Sequence, residues 1–301
     1  MIPVHVSVRF PFCDPRLSVD SRLLYEGRRE IMQAYLEAVL REAGTAAPDF
    51  EGSEVRSLRI GGGYPLLLGA DTWLPFLKEL RGIFTFSAQA EITMDVLPGQ
   101  LNAAWMVQFQ HLGVNRLQID LVSGRAVDYE NLALPGNLGT AQTALILPQI
   151  FHLPHYAVRI LYGIPGQSAG QFLVSTRFCC KYHAKEIHFV PFREPKHETW
   201  RKLAAAGQPV PDSGEAAEIK KAAADHLSGK GYREYLPDHY ALPGYESIAE
   251  AAVTGSEDLL SLGVGTRSRT DGVVYQTTGT LERYLSCAAD LEKLYTVLER
   301  T

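Results

Sequence analysis

The sequence predicts an α/β fold, an incomplete TIM-like barrel of about six strand–helix units. β-rich and helix-like segments alternate about six times between the N-terminus and residue 195. This alternation is typical of parallel strands joined by right-handed crossovers. Glycine clusters follow two of the predicted strands, at the end where parallel folds bind their ligands. Six units favour an incomplete (β/α)6 barrel over the full eight, with a doubly wound open sheet as the alternative.

Hydrophobic spacing locates the individual elements of this predicted barrel. Ile31, Tyr35 and Val39 lie on one face of the first predicted helix, which is the spacing of an amphipathic helix. Gly113 stands where a C-terminal glycine cap belongs. The predicted elements are strand 4–8, helix 30–42, strand 55–60, helix 74–80, strand 90–94, helix 101–111, strand 114–121, helix 140–150, strand 157–162, helix 168–183 and strand 186–190.

The pattern changes after Pro195, which suggests a boundary in the chain. Residues 208–214 form a predicted loop rich in proline, and shorter helices and strands follow it. We therefore expect residues 1–195 to form the partial barrel core. Residues 196–301 are expected to form a C-terminal extension that packs on the barrel.

Composition excludes several classes of protein. Hydrophobic residues make up 46% of the chain and charged residues 21%, as in ordinary globular proteins. The net charge is −5, and the basic residues form no cluster that would indicate nucleic-acid binding. No apolar run approaches the roughly 20 residues of a membrane span. The four cysteines show no disulfide pattern and no signal peptide is evident, so we expect a cytoplasmic protein.

Two glycine motifs close predicted strands. Residues 61–65 read Gly-Gly-Gly-Tyr-Pro, and residues 163–167 read Gly-Ile-Pro-Gly-Gln. Glycine lets the backbone approach a ligand closely or adopt a positive φ. Proline–glycine pairs also form ordinary type II turns, so each motif alone leaves a ligand site and a structural turn open. Neither continues into the Gly-Lys-Ser/Thr of a phosphate loop.

The order of the motifs along the chain is more specific than any one of them. The series comprises 10–13, 60–65, 91–99, 113–117, 161–167, 231–235, 242–245, 262–265 and 281–285. It resembles the oxygen-independent coproporphyrinogen oxidase-like branch of the radical-SAM superfamily, from about residue 4 to 288. The resemblance implies a radical-SAM barrel with an S-adenosylmethionine (SAM) pocket. The pocket residues that it implies are Gly61, Gly62, Gly63, Asp95, Gly163, Pro165 and Gly166.

The cluster motif of this family is broken in the chain. The family pattern C-x₃-C-x₂-C, placed on Cys13, requires cysteines where the chain has Leu17 and Asp20. Iron–sulfur clusters need thiolate ligands, and leucine offers none. We therefore expect no conventional [4Fe–4S] cluster, with Cys13 as the one retained cluster-type cysteine and the candidate cluster ligand. Cys179 and Cys180 lie in a predicted helix, where we expect them to be buried.

The implied SAM pocket also departs from the family pattern. Val122 stands where the family has glutamine, Arg159 where it has aspartate, and Ser7 where it has tyrosine. Losing several polar contacts should weaken SAM binding. Arg159 could serve an anionic ligand, but we expect it to pair with Asp95 or Asp120.

None of the nine histidines shows the spacing of a zinc motif. His188 lies on the sixth predicted strand, where it could point into the barrel. It is therefore the first candidate for a haem ligand.

Two hypotheses of different class follow. The favoured one is a degenerate radical-SAM-fold protein that serves as a scaffold for a tetrapyrrole (haem or porphyrin) or for a protein partner. The alternative is an active radical-SAM enzyme with unusual cluster ligands, or cluster-free chemistry in the former SAM pocket. Whether the protein is an enzyme stays open.

The barrel mouth bears on the choice between these hypotheses. Relatives continue past 281–285 into a further C-terminal domain, which leads us to expect a truncated extension and exposed apolar side chains at the mouth. A second chain, a homodimer contact or a porphyrin could cover them, with Arg9, Arg159 or Arg193 meeting propionates. The chain's own segment 236–256 could cover them instead. The side chains concerned are Phe10, Phe12, Tyr64, Leu66, Leu97, Tyr162, Ile164 and Phe192.

Overall fold

Among the residues that the structure describes, twelve strands form one large sheet and two form a small one. The computed structural model describes residues 1–13, 25–131, 136–192, 207 and 209–300. The expectations for Leu17, Asp20 and Arg193 therefore lie outside the described residues. The strands are β1 (Ile2–Arg9), β2 (Phe12–Cys13), β3 (Tyr25–Glu26), β4 (Ser53–Gly61), β5 (Phe86–Val96), β6 (Arg116–Val122), β7 (Tyr156–Tyr162), β8 (Glu186–Pro191), β9 (Arg233–Leu236), β10 (His239–Ala241), β11 (Asp258–Leu262), β12 (Arg267–Thr270), β13 (Val273–Thr277) and β14 (Tyr295–Arg300).

Helices connect the parallel strands, and side-chain caps start several of them. The Asp212 carboxylate accepts hydrogen bonds from the N–H groups of Gly214 and Glu215, and Ser168 caps its helix in a similar way. Gly113 ends its helix with a φ of 72°, as its position in the sequence predicts. The helices are α1 (Arg29–Ala46), α2 (Ala70–Ile83), α3 (Ala103–Leu112), α4 (Ala126–Asn131), α5 (Leu138–Ile150), α6 (Ala169–Lys181), α7 (Ser213–Ser228), α8 (Ile248–Thr254), α9 (Leu281–Cys287) and α10 (Leu291–Leu294).

The large sheet is parallel at its centre and antiparallel at both sides. Its order is β14-β13-β12-β11-β1-β4-β5-β6-β7-β8-β10-β9. From β11 to β8 every neighbouring pair is parallel. From β1 to β8 the order follows the chain without the reversal of a doubly wound sheet. The predicted α/β fold with a mostly parallel sheet is confirmed. The sheet's hydrogen bonds do not close it into a complete barrel.

The predicted six parallel strands are all present, and β11 adds a seventh beside β1. Both glycine motifs follow carboxyl ends of parallel strands, Gly61 ending β4 and Gly163 following β7. They therefore lie at the same rim, as the sequence predicts. The boundary proposed at residue 195 falls outside the described residues and stays a prediction. No described helix has the length and apolar character needed to cross a membrane.

The two faces of the parallel strands differ in polarity. Ile60, Met94 and Ile119 belong to the main hydrophobic core, together with helix residues such as Leu77 and Phe109. Successive side chains of a strand point to opposite faces. The residues between these apolar positions therefore share the inner face, and that face carries charged and polar groups.

A buried carboxyl group joins the first helix to the C-terminal part of the chain. Glu42 on α1 is 0% exposed and accepts hydrogen bonds from the hydroxyls of Tyr284 and Tyr295 and from the N–H of Gly263. The bond from Tyr295 is 2.8 Å long and that from Gly263 2.9 Å. Burial raises the pKa of Glu42 to about 7 despite these three donors.

This raised pKa predicts that the fold loses stability as pH rises. The folded state binds the proton of Glu42 more tightly than the unfolded state, so ionisation costs stability between about pH 4.5 and pH 7. We expect the unfolding free energy of the wild type to fall by about 3 kcal/mol more than that of Glu42→Gln between pH 5 and pH 8. Denaturant titrations at the two pH values measure the difference. Glu37→Gln, an exposed change on the same helix, should keep the wild-type dependence. Parallel curves for the wild type and Glu42→Gln would contradict the assignment.

Candidate functional site

A chain of ion pairs crosses the inner face of the sheet near the glycine rim. Glu250 Oε1 lies 2.5 Å from Arg59 Nη1, and Arg59 donates to both oxygens of Asp95 at 3.2 Å. Asp95 Oδ2 also accepts from Arg159 Nη2 at 3.0 Å. Arg159 in turn donates to both oxygens of Asp120. The predicted pairing of Arg159 with Asp95 or Asp120 is confirmed, since it pairs with both.

The register of the sheet explains this chain of contacts. Asp120 is the direct neighbour of Arg159 across β6 and β7, and both point to the inner face. Burial would raise the pKa of Asp95, but the Arg59 and Arg159 guanidinium groups hold it below its ordinary value. Asp95 is therefore a carboxylate whose oxygens are occupied by the protein's own cations.

The first glycine motif is packed against the chain itself. A Cβ added to Gly61 would lie within 2.8 Å of Asp95 Oδ1, and Gly62 has a φ of 87°. The Gly62 N–H is 3.4 Å from Asp95 Oδ2. A Cβ on Gly63 would lie 2.5 Å from the carbonyl oxygen of Phe12. Each of the three positions requires glycine for reasons within the fold.

The second glycine motif forms a turn stabilised by local bonds. The Gly163 N–H donates to Gln167 Oε1 at 2.8 Å, and the Gly166 N–H donates to the carbonyl oxygen of Pro209 at 2.9 Å. Gly163 and Gly166 have φ values of 77° and 72°. Pro165 is buried between them. A Cβ on Gly163 would meet nothing within 4 Å, so space beside this turn is open.

Cys13 lies on β2, whereas Cys179 and Cys180 are neighbours on α6 and Cys287 ends α9. Cys13 is 6% exposed and packs with Tyr64 and Leu97 in a small apolar cluster. Cys179 on α6 is buried in the main core, where burial raises the pKa of its thiol. The expected burial of Cys179 is confirmed, whereas Cys180 is only half-buried. Positions 17 and 20 carry no thiol, so the residues present do not fit a three-cysteine [4Fe–4S] site.

Val122 occupies the end of β6, where the resemblance implies a glutamine. It has a φ of 69°, a conformation that β-branched residues rarely adopt, and it follows a register shift in the β6–β7 pairing. Its side chain is 8% exposed and belongs to the hydrophobic core. It therefore offers no polar group to a ligand.

A second polar layer lies at the amino ends of β5, β6 and β8. Glu91 accepts from Ser247 Oγ at 2.7 Å and from the Ala249 N–H at 3.3 Å, which fixes the start of α8. Arg116 pairs with Glu186 and lies 3.8 Å from Glu91. Arg116 also donates to the carbonyl oxygen of Tyr245 at 2.8 Å.

His188 lies inside this layer. Its Nε2 is 2.6 Å from Glu186 Oε1, and its ring centroid is 4.0 Å from that of His239. His188 is 1% exposed, and burial followed by the field of His239 lowers its pKa well below the ordinary value. The predicted inward orientation is observed. A buried ring with one nitrogen bonded to Glu186 suits a small ion better than a haem.

The expectation of exposed apolar side chains at the barrel mouth was wrong for most of them. Tyr162 and Phe192 are half-buried. The others are buried: Tyr64 and Leu97 pack with Cys13, and the rest join the main core beside aromatic neighbours such as Trp73, whose ring centroid is 5.4 Å from that of Phe10. The buried side chains are Phe10, Phe12, Tyr64, Leu66, Leu97 and Ile164.

The segment 236–256 lies against the inner face of the sheet. β10 pairs with β8, Ser247 bonds to Glu91, and Glu250 bonds to Arg59. The chain therefore covers part of its own interior. These contacts reach polar groups of the strands, so the expectation that the segment covers the apolar side chains at the mouth stays a prediction.

Several residues of the site were missed by sequence reasoning, although a signal was present. Charged or polar residues alternate with apolar ones in 91–95, 116–120 and 186–188. This period of two predicts a polar inner face. No signal in the sequence joined them to the distant segment 239–250. The missed residues are Glu91, Arg116, Glu186, His239 and Glu250.

Comparisons with known proteins agree with this fold. No protein-family model matches the chain. The chain is 27% identical to the heme chaperone HemW of Escherichia coli K12 over 276 residues, covering 86% of this chain and 70% of HemW. It is 24% identical to the oxygen-independent coproporphyrinogen III oxidase of the same organism, covering 94% of this chain and 65% of the oxidase. The solved structure of that enzyme, HemN, superposes with a TM-score of 0.82 at 21% identity, covering 99% of this chain and 72% of HemN.

The parallel sheet with its glycine loops thus has the fold of a radical-SAM protein. The chain is homologous to the HemW heme chaperones and to HemN-like coproporphyrinogen oxidases, as the resemblance in sequence indicates.

Proposed function

We propose that this protein is a tetrapyrrole-binding relative of the heme chaperones that does not perform conventional radical-SAM chemistry. The observation that carries the proposal is the chain of ion pairs through Arg59, Asp95 and Arg159. It lies where the resemblance implies SAM, and its polar atoms bond to one another.

The sequence around Cys13 supports the absence of a [4Fe–4S] cluster. A radical-SAM cluster uses three thiolates and leaves one iron for SAM, whereas Leu17 and Asp20 supply no thiolate. Cys179 cannot compensate, because it is buried in the core with a raised pKa.

The arginine at position 159 supports the loss of SAM binding. It places a cation where the family has aspartate, and this cation is neutralised by Asp95 and Asp120. A SAM molecule bound there would have to break these partly buried ion pairs.

The tetrapyrrole is supported by the relatives and by one cation at the rim. Relatives of the chain are called heme chaperones and coproporphyrinogen oxidases. Arg9 at the carboxyl end of β1 makes a long hydrogen bond of 3.4 Å to the carbonyl oxygen of Gly265, and its buried Nε has no hydrogen bond to any residue that the structure describes. A guanidinium at this position could donate to a propionate, whereas Arg159 already pairs with Asp95 and Asp120.

Anaerobic reconstitution with iron and sulfide tests the missing cluster. We expect no more than about one iron per chain, well short of a four-iron cluster, and no cluster signal in electron paramagnetic resonance. About four irons per chain, lost in Cys13→Ala, would instead support an active enzyme with unusual ligands.

Titration with haem and with coproporphyrin tests the binding role. We expect a shifted Soret band at micromolar concentrations and at least a tenfold weaker affinity in Arg9→Gln, because a charge-assisted hydrogen bond contributes about 1.5–3 kcal/mol. Arg267→Gln, an exposed change on β12, is the matched control. A protein that binds neither tetrapyrrole but sediments as a stable dimer would favour a scaffold for protein partners. A monomer that binds neither would contradict the proposal.

A further inference from the structure

We propose that His188, His239 and Glu250 form a binding site for one divalent transition-metal ion. One potential ligand atom from each residue lies within 4.8 Å of those of the other two. The residues come from β8, β10 and α8, so the site is separate from Cys13 and from the glycine rim. The inference does not depend on the proposed tetrapyrrole function.

The antiparallel pairing of β10 with β8 brings the two histidines together. His239 is the direct cross-strand neighbour of His188, and their ring centroids are 4.0 Å apart. Glu250 reaches them from the first turn of α8, whose start is fixed by Glu91. Three separate elements therefore place two imidazoles and one carboxylate close together.

Hydrogen bonds orient both imidazoles for metal binding. His239 Nδ1 lies 2.7 Å from the carbonyl oxygen of Pro237, which can only accept, so Nδ1 carries the proton and Nε2 keeps its lone pair. His188 Nε2 lies 2.6 Å from Glu186 Oε1 and donates to this carboxylate, which leaves the lone pair on Nδ1. Histidine ligands of metals usually donate their second nitrogen in this way.

Further contacts hold these outer partners in place. Glu186 is 0% exposed and also accepts from the Tyr235 hydroxyl and pairs with Arg116. Arg59 Nη1 holds one oxygen of Glu250 at 2.5 Å and leaves the other available.

The charged groups around the site are joined in ion pairs. The ion pairs that lead to these residues contain five carboxyl groups and three guanidinium groups, so acidic groups are in excess. They are Glu91, Asp95, Asp120, Glu186 and Glu250, with Arg59, Arg116 and Arg159.

The donor set indicates which ions the site would bind. Two imidazole nitrogens and one carboxylate oxygen suit zinc or ferrous iron, whereas magnesium prefers oxygen ligands and water. Three protein ligands leave at least one coordination position for water or another small ligand.

Titration of chelator-treated protein with Co²⁺ alone tests the site, because cobalt bound to imidazole and carboxylate absorbs visible light. We expect one Co²⁺ per chain, displacement by Zn²⁺ but not by Mg²⁺, and a melting temperature several degrees higher with Zn²⁺. Glu250→Gln should weaken Co²⁺ binding about tenfold to a hundredfold. Its amide oxygen can still accept a hydrogen bond from Arg59. His239→Ala should weaken Co²⁺ binding by a similar factor.

His111→Ala, an exposed histidine at the end of α3, is the matched control and should bind as the wild type does. Wild-type affinity in Glu250→Gln, or no Co²⁺ absorption in the folded wild type at millimolar metal, would overturn the proposal. If His239→Ala does not fold, Glu250→Gln alone decides the outcome. Neither readout depends on tetrapyrrole binding, so this proposal and the proposed function can fail separately.

Discussion

Arg116→Met is expected to lower the free energy of unfolding by about 3–5 kcal/mol, because it leaves a buried carboxylate without its cation. Arg116 is 3% exposed and Glu186 0%, and the two are paired in the interior of the sheet. The same change removes the donor to the Tyr245 carbonyl oxygen. Denaturant titration at pH 7 measures the loss.

The matched control for this prediction is Arg267→Met. Arg267 lies on the exposed side of β12, where its guanidinium makes a single long bond of 3.5 Å to Gln276. Its replacement should change stability by no more than about 0.5 kcal/mol. If both variants keep wild-type stability, the buried pair of Arg116 and Glu186 does not stabilise the fold.

Gly63→Ala is expected to destabilise the fold by about 3 kcal/mol, because the added methyl group would meet backbone atoms that cannot move aside. Its Cβ would lie 2.5 Å from the carbonyl oxygen and 2.9 Å from the nitrogen of Phe12. Forcing extra atoms into a packed site typically costs about 1–3 kcal/mol, and a backbone contact belongs at the upper end. Thermal and denaturant unfolding both measure it.

Gly44→Ala provides a control of opposite sign. Gly44 lies in α1 and an added Cβ would meet nothing within 4 Å, so alanine should stabilise the helix by roughly 0.5–1 kcal/mol. If Gly63→Ala kept the stability of the wild type but bound SAM more weakly than the wild type, the motif would serve a ligand. The predicted loss of stability in the ligand-free protein would show that the fold alone requires glycine there.

This distinction affects how the glycine motif should be interpreted. Gly61 packs against Asp95, and Gly63 packs against the strand-one loop at Phe12. A chain that has replaced two cluster cysteines would still need both glycines to close its rim. Retention of the motif is therefore compatible with the loss of SAM chemistry that we propose.

Much of the fold could be predicted because its signals are local. Hydrophobic spacing and glycine caps located β1, β4 to β8 and the helices between them, and the chain order of the parallel strands followed from the crossover rule. The flanking strands β11 to β14 could not be placed in this way. β11 pairs with β1, more than 200 residues away along the chain, and β12 to β14 join the sheet through β11.

The candidate site was predicted only in part, for a similar reason. Arg159 could be paired with Asp120 from the sequence because both lie at inner positions of neighbouring strands. The pairing of Glu250 with Arg59 could not be predicted from the sequence, because 191 residues of chain separate the two. Burial of the apolar rim was also missed, since exposure depends on which aromatic neighbours the loops bring together.

The sequence by itself determined the parallel α/β framework, the glycine rim and the absence of thiols at positions 17 and 20. These features depend on residue type and local spacing. Only the tertiary structure decided that Asp95 binds two arginines and that His188 faces His239. Their partners are set by strand register and by a distant helix. A shift of one residue in that register would turn these side chains to the opposite face.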